Sequence, residues 1–472
     1  MKTTAIIGGG ITGLAVAYHL QQHGRGEVHY VLSESAPRYG GKITSVRESG
    51  FTIEGGPDSF LAQKPAALQL CRALGLSEQL IPTNPVHRVF VWSRKRLRLL
   101  PEGGLHMSPL SLSKITALAH SDLISWPGKL RMGMELFIPP RRSAADESLA
   151  DFVRRRFGKE ALDKIAGPVM ASIYAADPAK LSLRSSFPRF QEMEERHGSV
   201  LRAALAERRP AAAENGSERS LMFLSLREGL QQLITALQAS LPPERLMLSQ
   251  RVVTVTRRET RWELFLADGT RLAADDVVFA TPAYVTAELL AGIDLDLASK
   301  LRRIRYVSTA TVSLGFRRSD VPHPLDGFGF MMPQSEGHNF NACTWSSSKF
   351  PFRAPEDCVL MRVFVGGARA ESLAEQDESA LEELAREELR LTMRITANPL
   401  LSRVFRWHKA IPQYEVGHQD RVVDIEQCVA SHPGLHVAGA AYHGAGIPNC
   451  VQNAQDVAEQ ILNRAGMSLD RG

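Results

Sequence analysis

The chain has 472 residues, of which 44% are hydrophobic and 23% are charged, and its formal net charge is +5. These values are ordinary for a globular protein, and they exclude a disordered chain, a collagen-like fibre and a protein with many membrane spans. With 51 acidic residues mixed among 56 basic ones, the surplus is too small to indicate a nucleic-acid-binding protein. At about 150 residues per domain, the length predicts two or three domains.

The cysteine pattern indicates a reducing compartment. Five cysteines are scattered along the chain without a CxxC pair or another metal-like spacing, so we expect free thiols and no metal site. No stretch of about 18 uncharged apolar residues predicts a transmembrane helix, and no signal peptide is predicted. A cytoplasmic protein is therefore the expectation.

The N-terminal 34 residues predict the opening of a dinucleotide-binding sheet. An apolar strand leads into Gly8, Gly10 and Gly13 of a GxGxxG motif, and an apolar helical pattern follows. The glycines permit a tight turn, close approach of backbone to a pyrophosphate and packing of helix on strand. Glu34, at the end of the next predicted strand, can accept a hydrogen bond from a ribose hydroxyl.

NAD-binding and FAD-binding proteins share this opening, and a second glycine-rich turn distinguishes between them. Residues 34–41, ESAPRYGG, resemble the acid-x-x-x-Arg-x-Gly-Gly signature of the amine-oxidase-like FAD superfamily. The turn lets backbone lie along an extended cofactor, and Arg38 adds a charge compatible with phosphate. Near the C-terminus, residues 435–462 predict a strand, a glycine-rich turn and a helix. The N-terminus of this predicted helix could stabilise negative charge on a reduced flavin.

The segments between these motifs predict two further regions. Residues 85–190 predict mostly helices, and residues 206–220 predict an exposed loop. After a short strand and a helix in 221–239, three strands are expected, with a hairpin turn at Asp268-Gly269. Further strands fit 306–316, 339–345 and 358–365. Helices fit 377–396 and about 448–465.

Three longer motifs resemble the protoporphyrinogen/coproporphyrinogen oxidase family of FAD enzymes. They are GPDSFLAQKPAALQL (56–70), SIYAADPAKLSLRSSFPRF (172–190) and YHGAGIPNCV (442–451). The middle motif belongs to the substrate domain of that family. The pattern is closest to the enzymes of Gram-positive-type bacteria, so the resemblance implies oxidation of coproporphyrinogen III to coproporphyrin III in haem biosynthesis. This six-electron reaction converts three O2 to three H2O2, and protoporphyrinogen IX stays open as a second substrate.

The resemblance also implies a fold. We expect an α/β protein with a Rossmann-like FAD-binding domain of the amine oxidase/glutathione-reductase type, an α+β substrate-binding domain and a largely helical insertion. The expected divisions are 1–84, 221–300 and 416–472 for three parts of the FAD-binding domain, 85–220 for the insertion with part of the substrate domain, and 301–415 for the substrate-binding sheet and helix.

Carried over position by position, the resemblance implies a set of cofactor contacts. Val253 would meet the adenine side through its backbone. The expected FAD-binding residues are Gly8, Gly9, Gly10, Ile11, Thr12, Gly13, Glu34, Ser35, Arg38, Gly41, Lys42, Gly56, Pro57, Asp58, Ser59, Val253, Trp407, Gly439, Gly444, Ala445, Gly446 and Ile447.

Porphyrinogens carry propionates, which basic residues should meet. Lys64 and Arg88 are our candidates for this contact, and Tyr174 and Phe330 are candidates to pack on the macrocycle. Each has a structural alternative, since exposed cations are often merely solvated and aromatic residues usually belong to a core. No catalytic base is identified, and the reacting group is expected to be flavin N5 itself.

Two other functions stay open at this point. The same cofactor scaffold serves flavin amine oxidases and carotenoid desaturases, and a non-catalytic FAD-binding porphyrin carrier would share the motifs. The expected partners are a porphyrinogen and O2, with transfer of the product to ferrochelatase and no nucleic acid. Amphipathic helices in 110–140 are candidates for substrate-channel walls or for peripheral contact with a membrane.

Overall fold

The computed structural model describes residues 2–86, 88–101, 120–143, 145–206 and 223–467. A parallel sheet is formed by β1 (Lys2–Ile7), β2 (Val28–Ser33), β10 (Leu246–Met247), β14 (Asp276–Phe279) and β20 (Leu435–Val437). Its strand order is β10-β2-β1-β14-β20, so strands from three distant stretches of chain pair side by side. Parallel strands joined through helices confirm the expected α/β class.

Two long helices cover one face of this sheet and lie against each other. They are α1 (Ile11–His23) and the C-terminal helix α16 (Ile447–Arg464). The helix α10 (Gln231–Ala239) completes the layer, and the apolar residues of all three form one core with the sheet. Because α1 is enclosed on nearly every side, small and apolar residues occupy most of its length.

A second layer covers the opposite face. It consists of an antiparallel sheet and three helices: β11 (Val252–Arg258), β12 (Arg261–Leu266), β13 (Arg271–Ala274), α11 (Ala283–Leu290), α12 (Leu295–Arg302) and α15 (His418–Ala430). Trp262 and Phe279 are fully buried in its core. The expected third strand after the Asp268-Gly269 turn divides into β13 and β14, because its second half pairs with β1 instead of β12.

A seven-stranded sheet forms the second region. Its strands are β7 (Val89–Ser93), β8 (Arg96–Leu99), β15 (Tyr306–Arg317), β16 (Gly329–Met331), β17 (Ala342–Trp345), β18 (Cys358–Gly366) and β19 (Leu401–Pro412). They follow the order β19-β15-β18-β17-β16-β7-β8. The helix α14 (Glu378–Met393) packs on one face, where Trp345 and Leu381 are fully buried.

Helices dominate the described residues between 120 and 206. They are α3 (Trp126–Gly133), α4 (Leu149–Phe157), α5 (Lys159–Ala161), α6 (Gly167–Tyr174), α7 (Leu183–Ser186), α8 (Pro188–His197) and α9 (Val200–Ala206). A π-helical turn, Leu162–Ala166, joins α5 to α6. Their core is continuous with the end of the seven-stranded sheet through Val91 and Met331.

Short elements connect the two regions. They are β3 (Ser45–Glu48), β4 (Phe51–Glu54), β5 (Phe60–Leu61), β6 (Leu80–Pro82), β9 (Phe223–Leu226), α2 (Pro65–Ala73) and α13 (Ser346–Lys349). Strand β3 pairs with β4, while β9 pairs with both β5 and β6. The loop between β4 and β5 therefore lies where the two regions meet.

Several expectations need correction. The start of the segment 85–190, expected to be mostly helical, forms β7 and β8, which pair with each other and, through β7, with β16. Strand β19 was not expected, because charged residues interrupt its pattern as is common at sheet edges. The loop expected at 206–220 lies, beyond its first residue, outside the described residues.

Candidate functional site

The turn between β1 and α1 is built on glycines that close packing requires. Gly8 has φ +108°, and a Cβ at Gly13 would lie 1.9 Å from the carbonyl oxygen of Gly8. Apart from its chain neighbours, no atom of the described residues would lie within 4 Å of a Cβ at Gly10. Gly10 precedes the first helical residue, and no side chain caps the helix there. Ile11 and Thr12 form the buried first turn, so the space in front of the helix is left to backbone amides.

The carboxylate of Glu34 closes one side of this turn. It accepts hydrogen bonds from the backbone N–H of Gly9 and that of Ala36, each at 2.7 Å. The hydroxyl of Ser35 donates to the same carboxylate at 3.3 Å. The sequence-based candidates Gly9, Glu34 and Ser35 are thus brought together directly after β2.

The second glycine turn lies against the first. The backbone N–H of Gly40 donates to Gly9 O at 2.8 Å, and a Cβ at Gly41 would lie 3.3 Å from the Cα of Gly10. Arg38, expected to add a charge compatible with phosphate, binds the turn itself. Its guanidinium donates to the carbonyls of Tyr39, Gly41 and Ile43, so it fastens the turn, and its role toward a phosphate stays a prediction.

Lys42 follows this turn and lies near the C-terminal helix. Burial lowers the pKa of its ammonium, while the neighbouring Cys450 thiol acts in the opposite direction. The ammonium forms no hydrogen bond or ion pair with any described residue. The backbone of Lys42 also touches the next motif, because a Cβ at Gly56 would lie 1.8 Å from Lys42 O.

Three side chains from the seven-stranded sheet converge on one carbonyl of the β4–β5 loop. Gly55 O accepts from Trp407 Nε1 at 2.8 Å, from Arg362 Nη2 at 2.9 Å and from Thr311 Oγ1 at 3.2 Å. The same Arg362 nitrogen donates to Gly56 O at 2.5 Å. Strands β19, β18 and β15 thereby hold the Gly55–Gly56 backbone at the border between their sheet and the parallel-sheet region.

Five ionisable groups surround this loop. Lys349 Nζ lies 2.8 Å from one oxygen of Asp58 and 3.0 Å from the other. Burial raises the pKa of Asp58, but Lys349 and Arg362 outweigh it and hold that pKa below its usual range. Burial raises the pKa of Glu54 to about 7, although Arg353 at 3.7 Å and the hydroxyl of Ser45 oppose the shift.

Two serine hydroxyls bind the part of the loop that contains Pro57, Asp58 and Ser59. Ser59 Oγ donates to Asp58 Oδ1 at 2.6 Å, and Ser225 Oγ donates to the backbone carbonyl of Asp58 at 2.7 Å. The loop is consequently fixed at both its carbonyls and its carboxylate. Such fixation is what a binding segment needs if it is to orient a ligand without rearranging.

The C-terminal turn completes the arrangement. Gly439 N donates to Asn453 Oδ1 at 2.8 Å, which ties the end of β20 to helix α16. Gly444 and Ala445 lead to Gly446, which precedes the 18-residue helix without a side-chain cap, and Ile447 begins it. Two adjacent long helices therefore start with uncapped N-termini, a favourable place for negative charge.

These features fit an FAD molecule. The open space at Gly10, the paired glycine turns and the two uncapped helix starts together form a cradle for a pyrophosphate and an extended cofactor. Val253 lies at a bulge, where the register of β11 against β12 shifts between Val252 and Thr254. Its backbone is thus left outside the ladder, as a contact through backbone atoms requires.

The four substrate candidates lie in different surroundings. Lys64 is exposed, and its Nζ donates to Asn449 Oδ1 at 2.9 Å. Arg88 is also exposed and forms an ion pair with Asp326 at 2.7 Å. Tyr174 ends α6 and packs edge-on against Phe187.

Phe330 needs correction as a macrocycle contact. It is only 2% exposed and lies in the core between the sheet and α14, near Phe340 and Trp345. Alternation along β16 turns Phe330 to the α14 side and its neighbour Met331 toward the helical region. The sequence alone could not tell which face of this strand would be covered by α14.

Sequence reasoning missed several residues around the loop. Arg362 could have been found, because it is the only charged residue in the apolar strand CVLMRVFVG, and an isolated charge in a buried strand usually has a partner. Glu54, Lys349 and Arg353 carry no comparable signal. Their proximity depends on elements nearly 300 residues apart.

The comparison with known families decides the class of this site. A profile of the family described as flavin containing amine oxidoreductase matches residues 11–462. The chain belongs to the flavin-containing amine oxidoreductases. It is accordingly an FAD-dependent oxidoreductase with the fold expected from its sequence.

Relatives within this flavin family cover nearly the whole chain. The chain is 33% identical to a coproporphyrinogen III oxidase of Bacillus subtilis over 98% of each sequence. It is 30% identical to a chloroplastic protoporphyrinogen oxidase of Nicotiana tabacum, over 97% of the chain and 84% of the relative. A crystal structure of an Exiguobacterium protein described as a candidate protoporphyrinogen oxidase matches with a TM-score of 0.85 at 30% identity, covering 98% and 99% of the two chains. The motif resemblance to this group of the flavin family is thus confirmed.

Proposed function

We propose that the protein oxidises coproporphyrinogen III to coproporphyrin III in haem biosynthesis, with protoporphyrinogen IX as a second substrate. The observation that best supports this proposal is the similarity to the Bacillus subtilis coproporphyrinogen III oxidase. It extends over 98% of both chains and so includes the regions outside the expected FAD-binding domain. A porphyrinogen must lose six electrons and six protons to become a porphyrin. Bound FAD would accept two electrons in each of three rounds and pass them to O2, giving three H2O2.

The protein's contribution is mainly positional. The proposal places the tetrapyrrole where the sheet meets the helical region. Apolar side chains that include Met331 and Phe364 pack at this junction, and the Phe364 ring lies 4.7 Å from the Arg362 guanidinium that holds the Gly55–Gly56 backbone. An apolar enclosure suits a tetrapyrrole ring and keeps water from its reacting carbons. In this proposal Lys64 and Arg88 meet propionates at the rim, where both side chains are exposed.

The test is a parallel turnover assay of the purified protein with both porphyrinogens and an H2O2 readout. We expect three H2O2 per porphyrin and a higher kcat/KM for coproporphyrinogen III. A flavin that stays oxidised on anaerobic mixing with either porphyrinogen would overturn the proposal. Reduction by amines alone would identify an amine oxidase, and bound FAD with no H2O2 from any substrate would identify a porphyrin carrier.

We further propose that the enzyme works in the cytoplasm, in peripheral contact with a membrane, and passes its product to ferrochelatase. No helix among the described residues is long and apolar enough to cross a bilayer. Trp126, Leu130, Met134 and Phe137, in and after α3, are each more than half exposed and would supply the apolar contact. Sedimentation with anionic vesicles tests this part, and recovery of all protein in the supernatant would refute it.

A further inference from the structure

A cluster of five ionisable side chains lies behind the Gly55–Gly56 backbone. It contains three cations and two acids, namely Lys349, Arg353, Arg362, Glu54 and Asp58. Arg353 and Arg362 are only 2% and 3% exposed. With both acids ionised, the cluster carries one net positive charge, and this charge is held in a poorly solvated place where electrostatic effects extend further than in water.

Arg362 is the member of this cluster that binds the Gly55–Gly56 backbone directly. One of its terminal nitrogens serves both Gly55 O and Gly56 O, its guanidinium lies 4.7 Å from the centre of the Phe364 ring, and its buried Nε has no hydrogen-bond partner among the described residues. A buried arginine fully used in a structural role would normally satisfy all its donors. The unsatisfied Nε and the surplus charge indicate an electrostatic role beyond fastening the loop.

Two-electron reduction of a flavin takes up two electrons and one proton near neutral pH, so it adds one negative charge to the ring. A fixed positive charge nearby favours that form. We propose that Arg362, as the surplus cation of this cluster, raises the reduction potential of the bound FAD and so favours electron transfer from the porphyrinogen. This inference rests on the proposed placement of FAD along Gly56–Ser59.

The protonation state of Glu54 should change how strongly the cluster raises the reduction potential. Its carboxylate faces Arg353, Asp58 and the hydroxyl of Ser45, and it accepts from the backbone N–H of Leu230 at 2.9 Å. When Glu54 is protonated, the net charge of the cluster becomes two instead of one. The potential of the flavin should therefore respond to the protonation of Glu54 as well as to the flavin's own proton.

The test compares Arg362→Gln, Arg362→Lys and wild type as FAD-loaded protein without porphyrinogen. The readouts are the midpoint potential against a reference dye and the affinity for sulfite, an anion that adds to flavin N5. We expect Arg362→Gln to lower the potential and weaken sulfite binding about tenfold or more, and Arg362→Lys to stay near wild type. Arg317→Gln, at the exposed end of β15, is the matched control for loss of a surface charge.

Glu54→Gln keeps the test decisive if Arg362→Gln loses its FAD. At pH 8 this change removes a negative charge, so the potential should rise and sulfite should bind more tightly; at pH 6 the difference should largely vanish. Unchanged potentials in the FAD-loaded Arg362→Gln protein, or in Glu54→Gln at pH 8, would overturn the inference. Because no porphyrinogen is used, that failure is distinct from a failure of the proposed substrate.

Discussion

Lys64 Nζ lies 2.9 Å from Asn449 Oδ1, and Asn449 Nδ2 in turn donates to the carbonyl of His443 at 2.9 Å. The residue preceding α2 is thereby joined to the first turn of α16 and to the glycine turn before it. The acceptor is a neutral amide, so the ammonium keeps its charge uncompensated and retains donors for a carboxylate. The contact positions Lys64 without neutralising it.

Lys64 could either bind a substrate propionate or serve a structural role through Asn449, and kinetics can distinguish the two. We expect Lys64→Ala to raise KM for coproporphyrinogen III about three- to tenfold and for protoporphyrinogen IX less, because the first carries four propionates and the second two. Steady-state kinetics with both substrates measure the difference. Asn449→Ala is the matched control, since it removes the tether and keeps the cation. Equal effects of both variants on both substrates would mean that Lys64 is structural.

A pair of glycine substitutions tests the cofactor cradle. Gly10→Val should abolish FAD binding and leave the apoprotein's unfolding temperature nearly unchanged, because a Cβ at this position would have no described atom within 4 Å apart from its chain neighbours. Gly13→Ala should instead destabilise the apoprotein by about 3 kcal/mol or more, because its Cβ would collide with Gly8 O. Flavin absorbance after purification and thermal unfolding provide the two readouts. Full flavin content in Gly10→Val would contradict the placement of the pyrophosphate.

Protonation of Glu54 should contribute to the pH dependence of the free energy of unfolding. Its pKa of about 7 lies above the ordinary value of 4.5, so the folded state binds more protons between these two pH values. Stability from this group is then complete below about pH 4.5 and falls as pH rises toward 7, by at most about 1.4 kcal/mol per pH unit. Urea unfolding of the apoprotein from pH 5 to 8 should show this slope in wild type. Glu54→Gln should lack it, and an identical slope in both proteins would refute the assignment.

The pair of Asp58 and Lys349 should behave in the opposite sense. The pKa of Asp58 is held below its usual range, so the pair contributes stability above that range and loses it as pH falls. Asp58→Asn at pH 7 leaves a largely buried ammonium unpaired and should cost about 3 kcal/mol in urea unfolding. Adding Lys349→Met should recover part of this loss. A double variant no more stable than Asp58→Asn would show that the cation is satisfied elsewhere.

The motifs that predicted FAD as the cofactor are local in sequence, and this explains why the cofactor could be named from them. Gly8 to Gly13 and Glu34 belong to one β-α-β unit, whose turn geometry dictates the residues at fixed spacing. Arg38 was recognised as part of the signature, yet its partners are carbonyls of its own turn, which sequence spacing cannot distinguish from a phosphate. The resemblance supplied the family, and the structure supplied the contacts.

The environment of the β4–β5 loop could not be predicted in the same way. Trp407 was expected to contact the flavin, but strand β19, which carries it, was not predicted. The partner of Trp407, the carbonyl of Gly55, is 352 residues away in the sequence. Phe330 illustrates the same limit, because the strand period gives two faces without saying which one a distant helix will cover. Long-range pairing of this kind leaves no local pattern to read.

The strand order of the parallel sheet also has a consequence for synthesis. Strand β20 begins at Leu435 and joins β14, which itself separates it from β1 at the other end of the chain. A nascent chain on the ribosome must therefore keep the edge of β14 uncovered until Leu435–Val437 has emerged. We expect the unfinished chain to depend on chaperones during this interval, and FAD to be captured only after β20 has joined the sheet.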